Sequence, residues 1–404
     1  MTGSANTRDY GIVTACYWAF TLTDGALRML VLLHLHALGY TPLQLALLFV
    51  GYEVFGVVTN LVGGWMGARF GLKPLLFTGL ALQVVALGVL TGPEAWITVP
   101  LVVGAQALSG IAKDLVKTSS KSWIKHVVAS NESGRLMRWV ALLTGSKNAL
   151  KGVGFFLGGV LLSRLGFRGA LLCLAAIVAV ALILSSLPRA VGKSPGRVPF
   201  RGLFSKDPRI NWLSAARIFL FGSRDAWFVV ALPVFLATEL AWSHAFVGTF
   251  LAAWVIGYGL IQASSPRWAG GGTGPPPDAV RCLRWTASCA LPLFGMVAAL
   301  VLDLHPGATL VVGLAAFAVA FATASTVHSY LIVAYAEGDK VSLRVGFYYM
   351  ANALGRLAGT LISGAMYQWA GGGRDGLVAC IGTAAVLIVV STFTCVPIVR
   401  AERA

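Results

Sequence analysis

Eight basic side chains lie inside the apolar stretches of this chain, where a charged group is energetically unfavourable. An ionised group at the centre of a bilayer costs about 2.5–3.5 kcal/mol on insertion scales, so such residues usually have a function. Three pairs recur at a spacing of four or seven residues, which places both members of each pair on one helix face. The eight residues are Arg28, Lys113, Lys117, Lys147, Lys151, Arg217, Arg224 and Arg356.

This excess of cations indicates a site for a multiply charged anion. Buried like charges repel one another, and an anion with several charges relieves that repulsion. Arginine offers forked donors that match phosphate-like oxygens, and lysine offers a point charge. Asn352, one turn before Arg356, adds a polar group to the same predicted stripe. Gly154 and Gly158 extend the Lys147/Lys151 stripe and predict the close approach of a neighbouring helix or a substrate.

The carboxylates within the apolar stretches are fewer, and they have two possible roles, proton coupling or charge pairing. They are Asp24, Glu53, Asp114 and Asp225. Asp24 and Arg28 are four residues apart and predict a mutually neutralising pair. Asp225 is expected to pair with Arg224 or Arg217. Glu53 has no basic residue one turn away, so it is a candidate for proton coupling, the alternative being a protonated structural glutamate.

The elements that carry these residues are membrane helices. Of the 404 residues, 57% are hydrophobic and 11% charged, and the mean hydropathy is +0.79. Backbone groups in lipid must be paired internally, so apolar runs of about 20 residues are helices and the fold class is all-α. The twelve runs span about 11–36, 43–67, 74–92, 97–120, 137–162, 169–187, 209–237, 244–264, 281–302, 307–335, 343–369 and 376–398.

The net charge of +16 is explained by topology rather than by nucleic-acid binding. Most basic residues of the polar breaks fall on the side of the N-terminus, and the opposite breaks hold only Arg164, Arg168 and Arg374. The positive-inside rule therefore puts both termini in the cytoplasm. We expect a multi-pass protein in contact with lipid and, as to assembly, a monomer.

The chain divides into two six-helix halves that resemble each other. A stretch rich in proline, glycine and basic residues predicts a cytoplasmic linker at 189–208 between halves 1–188 and 209–404. LVVG occurs at Leu101 and again at Leu310, and NAL at Asn148 and again at Asn352, in corresponding helices. This six-plus-six duplication is typical of the major facilitator arrangement, with substrate bound at the midplane between halves.

The loop after the second helix, GGWMGARFGLKP, resembles the signature Gly-x-x-x-Asp-Arg-x-Gly-Arg-Lys of the same superfamily. Gly64, Arg69, Gly71 and Lys73 match it and form a predicted gating loop, whereas Ala68 replaces the acid. The usual salt bridge between halves is therefore not expected from this loop.

The six cysteines lie mainly in separate apolar runs without a CxxC spacing, so we interpret them as small core residues and predict no metal, disulfide or cofactor. The histidines receive no role, except that His328 is a minor candidate for lining the cavity. No catalytic motif of acids, bases or metal ligands is evident, which argues against an integral-membrane enzyme. A drug/proton antiporter would favour buried acids over cations.

Several segments resemble the ArsJ family of organoarsenical efflux permeases. They are YWAFTLTDGALRML, GVVTNLVGGW, AQALSGIAKDL, LLTGSKNALKGVGFFLGG, SAARIFLFGSRDAWFVVALPVFL and WVIGYG. The resemblance implies export of 1-arseno-3-phosphoglycerate across the bacterial inner membrane, and hence arsenate resistance. It also implies a functional partnership with a glyceraldehyde-3-phosphate dehydrogenase that makes this acyl arsenate.

A substrate with a phosphate at one end and an arsenate at the other agrees with two clusters of cations. We expect the four lysines to bind one end and the arginines at 217, 224 and 356 the other, by rocker-switch alternating access. The alternative is an exchanger or proton-coupled transporter of another phosphorylated metabolite, such as glycerol phosphate or triose phosphate.

Overall fold

The computed structural model describes residues 7–37, 42–93, 96–128, 133–189, 191, 205–242, 244–271, 274–336 and 341–403. Side chains at 7, 32, 33, 36, 37, 42–53, 133, 244 and 245 are outside this description, although the backbone there is helical. The described secondary structure is helical throughout. In chain order the helices are α1 Thr7–Ala37, α2 Pro42–Phe70, α3 Leu72–Val89, α4 Val99–Val127, α5 Ser133–Leu184, α6 Pro208–Phe228, α7 Ala231–Thr238, α8 His244–Ser264, α9 Pro266–Ala269, α10 Ala279–Ser288, α11 Ala290–Val301, α12 Pro306–Tyr335, α13 Val341–Trp369 and α14 Gly373–Arg403.

Helix occupies each of the twelve predicted runs, so the all-α fold class is confirmed. Within the described residues, eight helical segments are long and apolar enough to cross a membrane, and α13 is not among them. The fifth and sixth runs are joined in α5, where Gly166 has φ +66° and turns the chain between two helical parts. Such a positive φ favours glycine because a Cβ would clash with the backbone.

The seventh and ninth predicted runs are each divided into two helices. The break between α6 and α7 precedes Pro233, and the break between α10 and α11 precedes Pro292. Proline has no backbone N–H and is tolerated in the first turn of a helix but not in its interior. Each new helix therefore begins shortly before its proline.

The chain forms two compact units. Unit 1 contains Met1–Trp139, Ser146–Phe204 and Ala336–Met350, and unit 2 contains Val140–Gly145, Ser205–Tyr335 and Ala351–Ala404. The change from one unit to the other at 204/205 falls inside the predicted linker, and the predicted division into halves stays a prediction.

A Gly-x-x-x-Gly pair brings two helix backbones together in each unit. In unit 1, a Cβ on Gly154 or Gly158 would lie 2.4–2.5 Å from carbonyl oxygens of α1. In unit 2, a Cβ on Gly355 or Gly359 would lie 2.2–2.5 Å from carbonyl oxygens of α6. Small residues permit this contact, as in other membrane helix pairs. The predicted close approach at the first pair is therefore confirmed, and the neighbour is α1.

The core of unit 2 is aromatic around α6, α8 and α12. The ring centroid of Phe321 lies 5.2 Å from those of Phe221 and Phe317 and 5.7 Å from that of Tyr258. Such ring pairs add about 0.5–1.5 kcal/mol beyond the area they bury. They also hold Phe221 in place beneath the charged groups of α6.

Candidate functional site

The lysine cluster of unit 1 is built on one face of α4. We use this name for Lys113, Asp114, Lys117, Lys121 and Tyr349. The ammonium of Lys117 lies 2.5 Å from Asp114 Oδ1, and that of Lys113 lies 3.8 Å from Oδ2. The carboxylate is 1% exposed. Two cations thus share one buried carboxylate.

Tyr349 of α13 completes this cluster. The ammonium groups of Lys117 and Lys121 each lie 4.7 Å from the centroid of its ring, and Lys121 donates a hydrogen bond to its hydroxyl. A ring face attracts cations and is worth more where water is excluded. The cluster therefore combines three ammonium groups, one carboxylate and one aromatic ring.

The arginine cluster of unit 2 joins α6 to α13. We use this name for Arg217, Arg224, Asp225, Asn352 and Arg356. Asp225, 1% exposed, accepts from Arg224 Nε through Oδ1 at 2.6 Å and from Arg356 Nε through Oδ2 at 3.2 Å. Of the two pairings predicted for Asp225, that with Arg224 is present. Arg356, which was predicted to bind the same end of the substrate as Arg217 and Arg224, is a second partner of this carboxylate.

Arg217 is held by neutral groups. Its Nε donates to Asn352 Oδ1 at 3.0 Å and its Nη1 to the backbone carbonyl of Ser325 at 3.1 Å. Its guanidinium carbon lies 3.9 Å from the centroid of the Phe221 ring, and that of Arg224 lies 5.0 Å from the same centroid. The i,i+7 spacing predicts a shared face, and the common ring confirms it.

The remaining predicted residues are less closely defined. In unit 1, Asp24 is buried and accepts a hydrogen bond from Ser109 at 3.4 Å, while Arg28 is half-buried on the same helix. Lys147 and Lys151 are half-buried on α5, and the ammonium of Lys151 lies 5.7 Å from the ring centroid of the phenylalanine one turn later. The Asp24–Arg28 pair and the grouping of the four lysines stay predictions.

The predicted proton-coupling residue, Glu53, lies outside the residues whose side chains the structure describes. The predicted gating loop is the junction of α2 and α3. A Cβ on Gly64 would lie 2.7 Å from a backbone oxygen of α13, and Gly71 has φ +95° at the turn. Lys73 donates to the carbonyl of Ser186, and Arg69 stacks on a tryptophan one turn earlier, 5.1 Å from its centroid.

The predicted apolar run at 97–120 ends before Lys121 and leaves this residue in a polar break between helices, which was wrong. Helix α4 continues to Val127, and Lys121 is 4% exposed within it. The series 113, 117, 121 has a constant spacing of four residues, so the sequence did contain a signal for a third lysine on this face. Ser325, Phe221 and Ser109 were also missed, because neutral residues in apolar runs give no such signal.

The family model described as Major Facilitator Superfamily matches residues 13–271, which is more than half of the chain. The chain belongs to the major facilitator superfamily. It is therefore a multi-pass membrane transporter for a small molecule rather than an enzyme. No curated protein sequence matches the chain.

Solved structures with a similar fold cover nearly the whole chain. The Escherichia coli fucose:proton symporter FucP has a TM-score of 0.72 at 13% identity, covering 96% of this chain and 98% of that one. The human organic anion transporter MFSD10 (TETRAN) has a TM-score of 0.69 at 16% identity, with 96% and 99% covered. A bacterial homologue of the iron transporter ferroportin has a TM-score of 0.69 at 14% identity, covering 96% of this chain and 99% of that one. At these identities the likeness concerns the fold.

Proposed function

We propose that this transporter exports a small organic anion with more than one phosphate-like group, and that 1-arseno-3-phosphoglycerate is its substrate. The arginine cluster is the observation that carries this proposal. Two guanidinium groups in unit 2 share a single carboxylate, and a third, that of Arg217, is bound to neutral groups of the same cluster. A guanidinium keeps its charge under all cellular conditions. The lysine cluster supplies a second set of cations, in which three ammonium groups again accompany one carboxylate.

The chemistry of the two clusters suits two different anionic groups. Arg217 and Arg224 present flat, forked donors over one phenyl ring, which suits tetrahedral oxyanions. The lysines present point charges that adapt to several geometries. Each cluster by itself suits one anionic group of the kind that the proposed substrate carries, a phosphate or an acyl arsenate. The resemblance to the ArsJ family, and not this geometry, supplies the arsenate.

The cellular setting belongs to the same proposal. We place the chain in the bacterial inner membrane with both termini in the cytoplasm, as a monomer that works by alternating access. A glyceraldehyde-3-phosphate dehydrogenase supplies the substrate, and export protects the cell from arsenate. Moving an anion out of a negative-inside cell is downhill by about 2.3 kcal/mol per charge per 100 mV, so proton coupling is not required.

A second candidate, exchange of phosphorylated metabolites such as glycerol phosphate or triose phosphate, is favoured by the same cations. Everted vesicles containing the protein separate the two. They receive arsenate, NAD, glyceraldehyde 3-phosphate and the dehydrogenase outside. Arsenic accumulation that depends on the dehydrogenase supports the organoarsenical. Exchange of triose phosphate without arsenic accumulation supports the second candidate. The absence of both activities would overturn both candidates.

Single substitutions in these vesicles test the lysines of α5. We expect Lys147→Ala or Lys151→Ala to abolish transport, because each removes a cation from a half-buried stripe, while insertion into the membrane persists. Lys206→Ala, at an exposed lysine outside both clusters, is the matched control and should transport normally. Normal transport by both α5 variants would remove these lysines from the site.

A further inference from the structure

Two cysteines and a histidine that are distant in sequence meet inside unit 2. Cys282 of α10, His328 of α12 and Cys395 of α14 each offer one ligand atom, and these three atoms lie within 4.8 Å of one another. All three side chains are 0% exposed. Sequence spacing gives no hint of this group, because each residue comes from a different helix.

The separation of the three atoms is close to that around one metal ion. Zinc–sulfur and zinc–nitrogen bonds are about 2.3 and 2.0 Å long, so two ligand atoms of one zinc ion lie about 3.3–4 Å apart. Small side-chain rotations would bring the donors within this range. Thiolate and imidazole ligands favour soft ions such as zinc or copper over magnesium or calcium.

Among the soft metal ions, charge balance favours one with two positive charges. An uncompensated charge in an apolar interior is very costly. Two cysteine thiolates with one divalent cation form a group without net charge, whereas a monovalent ion would leave a net negative charge. Unit 2 can therefore hold such a complex without any further counter-ion.

The histidine has the surroundings of a metal ligand. Its Nε2 lies 3.0 Å from the hydroxyl oxygen of Thr286, and its Nδ1 has no hydrogen-bond partner among the described residues. Metal-binding histidines commonly use one ring nitrogen for the ion and the other for a bond that fixes the ring. The Thr286 oxygen is also 3.9 Å from Cys395 Sγ, so a hydroxyl lies at the edge of the site.

The cluster lies near one end of the helices. Cys282 is in the first turn of α10, whose first N–H, that of Ala279, donates to Glu402 of α14 at 2.7 Å. The hydroxyl of Tyr335, the last residue of α12, donates to the other oxygen of Glu402 at 2.8 Å. Glu402 is exposed, so polar groups lead from the surface towards the buried donors.

We propose that Cys282, His328 and Cys395 bind one thiophilic divalent cation, for which Zn²⁺ is the probe. The bound ion joins α10, α12 and α14 and stabilises unit 2. It is separate from the arginine cluster and is not the transported anion.

Metal binding to the purified, reduced protein in detergent tests this proposal. After incubation with Zn²⁺ and gel filtration, elemental analysis should find one zinc per chain, and the midpoint of thermal unfolding should rise. Co²⁺ in place of zinc should give the near-ultraviolet charge-transfer absorption of a cobalt–thiolate bond. Retention of no metal by the folded protein would overturn the proposal.

Matched serine variants locate the site. Cys282→Ser and Cys395→Ser should each lose the cobalt–thiolate absorption and at least tenfold in zinc affinity. Cys289→Ser is the control, because this cysteine is equally buried in unit 2 but bonds to the carbonyl of Trp285. Equal loss in all three variants, or loss in none, would contradict the assignment.

X-ray absorption at the zinc edge of the unmodified protein gives a test that needs no variant to fold. We expect two sulfur ligands and one histidine nitrogen in the first coordination shell. A shell of oxygen and nitrogen alone would overturn the proposal. A disulfide between Cys282 and Cys395 in the protein as isolated, without added reductant, found by mass spectrometry, would also overturn it.

Discussion

The lysine cluster and the arginine cluster share a composition but are assembled differently. Each has three cations and one buried aspartate, with two cations on the carboxylate and the third on a neutral oxygen. All lysines come from α4, so a single helix fixes their spacing. The arginines come from α6 and α13, so their arrangement requires the packing of two helices.

The choice of cation makes the two clusters respond differently to a change of charge. A buried lysine can lose its proton when its partner is removed, whereas an arginine stays charged. Loss of the carboxylate is therefore expected to be tolerated less well in the arginine cluster than in the lysine cluster. Three kinds of substitution test the comparison between the units. They remove each aspartate, overpack one glycine contact in each unit, and remove one neutral hydrogen-bond partner.

The largest effect is expected from the aspartates. Asp225→Asn should lower the free energy of unfolding by about 3–5 kcal/mol, as expected for an uncompensated buried charge, because Arg224 and Arg356 cannot lose theirs. Asp114→Asn should cost clearly less, because the cations that it leaves are lysines rather than arginines. Thermal unfolding in detergent measures both. Equal losses would show that the type of cation does not matter.

A smaller effect, equal in the two units, is expected at the glycine contacts. A Cβ at Gly158 or Gly359 would lie 2.5 Å from a carbonyl oxygen, so alanine at either position should cost about 1–3 kcal/mol by overpacking. Gly159→Ala and Gly364→Ala are the matched controls, since a Cβ there meets nothing within 4 Å. The yield of folded protein and its unfolding temperature report the difference. A loss of stability in only one of the two variants would show that the two units do not depend on these glycine contacts in the same way.

The smallest effect is expected at the neutral partner of the lysine cluster. Tyr349→Phe removes the hydroxyl that accepts from Lys121 and keeps the ring. A double-mutant cycle with Lys121→Met should give a coupling energy of about 1–2 kcal/mol, between that of a neutral hydrogen bond, about 0.5–1.5 kcal/mol, and that of one to a charged group, about 1.5–3 kcal/mol. Additive effects of the two substitutions would show that this bond contributes nothing to stability.

Helices and helix faces could be predicted from the sequence because they depend on local periodicity. The apolar runs predict the helices, and the spacing of Lys113 with Lys117 and of Arg217 with Arg224 predicts shared faces. The end of α4 was misjudged, because Lys121 is followed by Lys125 and His126 and the series looked like a cytoplasmic break.

Partners on other helices could not be predicted, because no local rule relates them. The contacts of Lys121 with Tyr349, of Arg217 with Asn352 and among Cys282, His328 and Cys395 all depend on tertiary packing. The role of Glu53 and the division into halves remain predictions from the sequence.

The salt bridge at Asp225 also has a consequence for how the chain enters the membrane. Helix α13, which carries Arg356, is not apolar enough to count as a membrane span by itself. Helix α6 precedes α13 in the chain, so it is synthesised first. We therefore expect the acid on α6 to act as a docking point for the later helix α13 during membrane insertion.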